Sequence, residues 1–174
     1  MKKTYKYIIG IVLVLVFVFL ALYNNGTMGV AESKIESDAR RAHRIDDNWH
    51  LAKSISYPIG VLLFYDTESN YSTFSIYLNT KGFSYGYFFR SGGSGSKINE
   101  GVSEFYFDGY GRALISMNKA KIERIEIDNG QEVKTIAIDS KKPFTLALPE
   151  NCGIVTIYDI NNNIVPITSD LANN

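Results

Sequence analysis

The chain predicts a mainly β protein, an antiparallel β-sandwich, with a closed barrel as the alternative, preceded by one transmembrane helix and one amphipathic helix. Three observations lead there. Residues 7–23, YIIGIVLVLVFVFLALY, form an unbroken apolar run that the surface of a small soluble domain cannot accommodate. Apolar side chains at Ile35, Ala39, Ala42, Ile45, Trp49, Ala52 and Ile55 then recur every three or four residues, the spacing of one helical face. From Pro58 onward the period changes to strict alternation, in short β-rich runs separated by turn residues.

The apolar run sets the topology. Seventeen residues at about 1.5 Å each span roughly 25 Å, a little short of a hydrocarbon core, and Tyr5 with a snorkelling Lys6 extends the reach. Lys2, Lys3 and Lys6 precede the run and no cation follows until Lys34, so residues 1–6 are expected in the cytoplasm and the rest outside. Gly29 and Ala31 carry the small residues that a signal peptidase needs, which makes secretion after a cut at Ala31 the competing outcome. That site lies well beyond the end of the run, which favours a retained signal anchor over residues 7–23. The absence of a cysteine directly after the run excludes a lipid-modified N-terminus.

Beyond the anchor, residues 24–30 read as a short polar tether and residues 31–57 as the amphipathic helix, stopped by Pro58. Its narrow, alanine-rich stripe suits either packing along the following domain or a self-associating stalk, and the presence of fewer than four heptads favours packing. Both histidines, His43 and His50, fall on this segment, and His43, Asp47 and His50 would share one helical side. With no cysteine or third histidine to complete a ligand set, two solvated histidines are expected and no metal.

Residues 58–174 are expected to form one extracytoplasmic β domain. Ten strands are read near 59–65, 71–79, 82–90, 102–108, 112–118, 121–128, 132–138, 143–149, 153–159 and 163–167. Asn129-Gly130 predicts a type I′ hairpin between the sixth and seventh of these. SGGSGS, residues 91–96, reads as a mobile loop. Alternation places Phe83, Tyr85, Tyr87 and Phe89 in one buried row, Phe105 and Phe107 in another, and Phe144, Leu146 and Leu148 in a third. The stretch PFTLALPENCGIVTIYDINNNIVPI resembles the late strands of bacterial immunoglobulin-like surface modules, which implies an immunoglobulin-like arrangement in the C-terminal half.

Composition narrows the chemistry. Three of the 18 basic residues precede the anchor and none of the 18 acidic ones does, leaving 15 against 18 outside, a net −3 that offers no basic surface to nucleic acid. The single cysteine, Cys152, cannot form an internal disulfide and reads as a packed thiol. The histidines lie outside the β segment, so a Ser-His-Asp or Cys-His site is not expected. The pairs Asp66 with Glu68 and Glu104 with Asp108 could in principle serve glycoside hydrolysis, but carboxylates on a wet sheet face ordinarily confer solubility. Asp159, Asn161 and Asn163 begin like a calcium loop, yet Ile164 stands where that loop needs glycine, and a polar turn is expected.

One feature points outward. The parities of Tyr77, Phe88 and Tyr106 oppose the buried rows, so these three could form an aromatic patch for a protein partner or a sugar ring, unless the helix covers it with Ile45 and Trp49. The expected function is a non-catalytic interaction or accessory module of the bacterial cell envelope, held in the cell membrane, with no cofactor. The alternative is a secreted or wall-directed module binding wall polysaccharide, or a carboxylate glycosidase.

Overall fold

The computed structural model describes residues 2–24, 28–69, 71–80, 85–94, 98 and 100–171. The apolar run lies in a single helix, α1 (Lys2–Asn24), whose stretch from Tyr5 to Leu22 is long and apolar enough to cross a bilayer and is not buried against the protein. A single 3-10 turn, Glu32–Lys34, leads into a second helix, α2 (Ile35–His43). Eleven strands follow among the described residues: β1 (His50–Ser56), β2 (Ile59–Tyr65), β3 (Ser72–Asn79), β4 (Tyr87–Gly93), β5 (Val102–Phe107), β6 (Gly111–Ser116), β7 (Ile122–Asp128), β8 (Val133–Ala137), β9 (Phe144–Pro149), β10 (Ile154–Asp159) and β11 (Ile167–Leu171).

The amphipathic helix is much shorter than its stripe suggests. It ends at His43, where Arg44 turns left-handed with φ 55° and its N–H reaches back to the carbonyls of Arg40 and Arg41. The Arg40 guanidinium then gathers the exit turn, donating to the carbonyls of Asp46 at 2.8 Å and Trp49 at 3.3 Å while lying over the Phe64 ring. Residues 50–56, expected as helix, form β1 instead, and Pro58 sits in the β1–β2 turn. The physical reason is that β1 meets apolar neighbours on both faces. Leu51 and Ile55 pack under α2 and Ala52 packs on the opposite side, so their spacing imitates a helix.

The strands make three sheets, ordered β1-β2-β3-β4, β11-β5-β6-β9 and β10-β7-β8. Three apolar clusters lie between successive layers. The first joins α2 to the outer face of the first sheet through Ile35, Ala39, Leu62, Phe64, Tyr77 and Tyr87. The second lies between the first and second sheets and includes Leu63, Ile76, Phe105, Ile115 and Ala147, with Phe74 and Phe105 ring centroids 4.8 Å apart. The third, around Val102, Leu114, Ile125, Phe144, Leu148 and Ile157, joins the second and third sheets. Helix, sheet, sheet and sheet therefore stack in that order.

This stacking explains why β2 and β3 are buried along both faces, which leaves no wet side for alternation to reveal. Phe105 and Phe107 are buried, as are Phe144 and Leu148 at the two ends of the third expected row. The row expected from Phe83 to Phe89 does not hold. Tyr87 is buried, but Tyr85 and Phe89 are exposed, and Phe83 lies outside the described residues.

Other differences are local. The last strand is β11 at 167–171 rather than 163–167, and it pairs parallel with β5, so the second sheet is mixed. Ile164 makes only an isolated bridge to Tyr158. Ser91, Gly92 and Gly93 of the expected loop belong to β4, where a side chain at Gly92 would strike the Phe74 carbonyl oxygen; Gly95 and Ser96 lie outside the described residues. The β7–β8 hairpin forms as expected, but only Gly130 takes positive φ. Side chains close this turn instead: Asp128 accepts from Gly130 N–H, and Asn129 accepts from Gln131 and Glu132.

The tether is the largest departure in consequence. Gly29 N–H donates to the Tyr85 carbonyl at 2.6 Å, and Val30 and Tyr87 exchange both backbone hydrogen bonds at 2.8 Å. Residues 28–30 are therefore a strap on the free edge of β4. Residues 25–27 lie outside the described residues.

Candidate functional site

The three aromatic residues expected to form one patch are not brought together. Tyr77, on β3, is 1% exposed beneath α2, where its hydroxyl donates to Asp38 Oδ2 at 2.9 Å and its ring meets the edge of Phe89. Phe88 is half-buried on β4, opposite Leu78. Tyr106 lies on β5 of the second sheet, opposite Arg112, and is 43% exposed. Packing by α2 with Ile45 and Trp49 covers the face on which Tyr77 lies.

Burial, reinforced by the hydrogen bond to Asp38 and the carboxylate's charge, pushes the Tyr77 hydroxyl well above its ordinary value of 10.0. A group whose folded pKa is raised contributes its full stability below the unfolded pKa, and that stability is lost as pH rises through the folded value. Tyr77→Phe is therefore expected to cost about 1–2 kcal/mol at neutral pH and to flatten the loss of stability above pH ~10. Chemical denaturation at pH 7 and pH 11 checks both.

Glu104, Asp66, Asp159 and both histidines are engaged by local structure, while Glu68 and Asp108 are exposed. Glu104 is paired with Arg112 at 3.1 Å and accepts from Ser169. Asp66 caps a turn, accepting from the Ser69 hydroxyl and from the N–H groups of Glu68 and Ser69, chiefly the hydroxyl bond holding its carboxyl below the usual range. Asp159 accepts from Asn161 N–H and Asn163 N–H at 2.8 Å and from Asn163 Nδ2, which makes the 159–163 segment a self-capped turn. His43, at the end of α2, lies 2.8 Å from the buried Ser75 hydroxyl, whereas His50 opens β1 and stacks on Tyr65. The shared helical face for His43, Asp47 and His50 is absent because the helix stops at His43. The Ser75–His43 pair is a contact that sequence reading missed; it lies at the helix–sheet seam, and Ser75 is wholly buried.

A recessed surface of a different kind lies where the three sheets meet. A cleft of about 330 Å³ is lined by Ile127, Ile136, Leu146, Leu148, Pro149 and Cys152, with Glu132 and Lys134 among its polar lining residues. Two strands border it. β9 is the last strand of the second sheet and lies against β1, where Ala147 N–H donates to the Ser54 hydroxyl. β8 is the last strand of the third sheet.

The hairpin bonds Asn129 N–H to Glu132 O and Ile138 N–H to Glu123 O fix the phase of that edge. Ile125 with Ile136 and Ile127 with Lys134 are the hydrogen-bonded pairs, so the backbone groups of Val133, Thr135 and Ala137 point away from β7. These three residues are also exposed. Cys152 is half-buried in the cleft wall, with Sγ 3.9 Å from the Gly153 carbonyl. The cleft thus combines an apolar floor with a row of outward backbone donors and acceptors, which suits an extended peptide. Neither a protein-family model nor a curated protein nor a solved structure matches this chain.

Proposed function

We propose that the protein is a membrane-anchored, extracytoplasmic β-sandwich module of the bacterial cell envelope that binds an extended segment of another envelope protein along β8. The observation that carries the anchored reading is the strap. A cut after Ala31 would remove Met28, Gly29 and Val30 together with their hydrogen bonds to Tyr85 and Tyr87, and would leave the edge of β4 bare. The fold therefore favours a chain that keeps residues 28–31, and with them α1.

Binding by strand addition follows from β8, whose outward backbone groups supply affinity while the neighbouring cleft reads side chains. Lys134, exposed on the cleft side of β8, discourages indiscriminate edge pairing and selects a partner able to meet its charge. Tyr77, Phe88 and Tyr106 lie on different faces and sheets, which lends no support to a carbohydrate-binding patch built from the three.

Thr135→Pro tests the proposal. The Thr135 N–H does not serve the β7 ladder, so an edge proline there is expected to keep the fold while blocking an added strand. Partner recovery after cross-linking in membranes is expected to fall at least tenfold, with the melting temperature within a few degrees of the original. Unchanged recovery with that variant would remove β8 as the binding edge.

A further inference from the structure

We propose that the strap end of the first sheet is a lipid-contacting surface, with Tyr57 and Tyr85 seated in the headgroup layer beside the anchor; this rests on the anchored reading above. Only four residue steps separate Asn24, the last residue of α1, from Met28, the first residue of the strap. Fully extended, they reach roughly 14 Å, so the edge on which the strap lies is held no farther than that from the end of the anchor, close enough for its exposed side chains to meet the headgroup layer.

The residues at that end are fixed by the ladder. Met28 bridges Tyr85, Val30 pairs with Tyr87, Tyr87 pairs with Asn79, and Asn79 N–H donates to the Pro58 carbonyl at 2.8 Å. The β1–β2 turn carrying Tyr57 therefore lies at the same end of the sheet as the strap. Tyr57 is 69% exposed and Tyr85 66% exposed.

Two bare tyrosines have little to gain in bulk water, but an amphipathic ring is favoured at a membrane interface, where its body meets acyl chains and its hydroxyl remains hydrated. Tyr71 provides an internal contrast. It is equally exposed, at 69%, but lies at the far end of the sheet in the β2–β3 turn, where its carbonyl accepts from Asp66 N–H. The eight residues of β3 put it roughly 25 Å from the strap end.

The test uses the full chain in vesicles of phosphatidylcholine and phosphatidylglycerol containing a lipid spin-labelled near the headgroup. In a Trp49→Phe background, tryptophan is introduced singly by Tyr57→Trp, Tyr85→Trp or Tyr71→Trp. Quenching at positions 57 and 85 is expected to exceed that at 71 by about threefold or more. Equal quenching at all three positions, with the chain inserted in the vesicles, overturns the inference and leaves the anchored reading standing. Failure of the chain to insert overturns both. Should Trp49→Phe unfold the domain, nitroxides on Tyr57→Cys, Tyr85→Cys and Tyr71→Cys in a Cys152→Ser background give the same comparison through their accessibility to a membrane-soluble relaxant.

Discussion

Asn118→Ala is expected to destabilise the domain by roughly 3–5 kcal/mol. Asn118 is 5% exposed and stands in the connection from β6 to β7 with φ 56°. Its side-chain oxygen accepts from Ile122 N–H at 2.6 Å, and its two amide N–H bonds serve the carbonyls of Ile122, Asp139 and Lys142. Its own backbone N–H donates to the Ser116 hydroxyl.

One side chain thus ties the β6–β7 connection to the β8–β9 connection, and removing it leaves several buried backbone groups without their bonds. Asn118→Gly separates this from backbone strain, because glycine accepts the positive φ at no cost and still loses the side chain. Guanidinium denaturation is expected to place both variants far below the original protein. A midpoint for Asn118→Gly close to the original would show that the conformation, rather than the amide, is what matters at this position.

Gly29→Val is expected to detach the strap. A Cβ at this position would lie 2.6 Å from the Tyr87 carbonyl oxygen and 2.9 Å from the Phe88 ring, and the backbone on both sides is held by the β4 edge. Losing the three hydrogen bonds of Gly29, Val30 and Tyr87 is expected to cost roughly 2–4 kcal/mol. Hydrogen exchange locates the effect: the amides of Val30 and Tyr87 should exchange much faster, while those of β6 and β7 keep their order of protection. Membrane attachment should persist, since α1 is untouched. Unchanged exchange at Tyr87 would mean that the strap contributes nothing to the edge.

Much of the β region was legible because turn chemistry interrupts it. Alternation places β2 at its observed bounds, and most later strands to within a residue or two at each end, since Asn129-Gly130 and Asp108-Gly109 stand between alternating runs. Layering was not legible. Alternation reads one wet and one dry face, whereas β2 and β3 are dry on both, so the pattern points Tyr77 outward although α2 lies over it.

The overextended helix has a related cause. Ala52 and Ile55 satisfy two different apolar neighbours from one strand, Trp49 just ahead of that strand joins the cluster under α2, and only the turn-forming Asp46, Asp47 and Asn48 signal the break. The cleft bordered by β8 and β9 depends on which strands end their sheets, a property of pairing between distant segments that local pattern does not encode.

The strap was hidden for the opposite reason. NNGTMG carries every mark of a linker, and glycine at 29 is also what a close approach to another strand requires. Its docking is the hinge of the functional account. The most direct measurement is the intact mass of the protein recovered from fractionated cells. A retained anchor predicts the chain in the membrane fraction with residues 7–31 still attached; a soluble species beginning at Glu32 would contradict it.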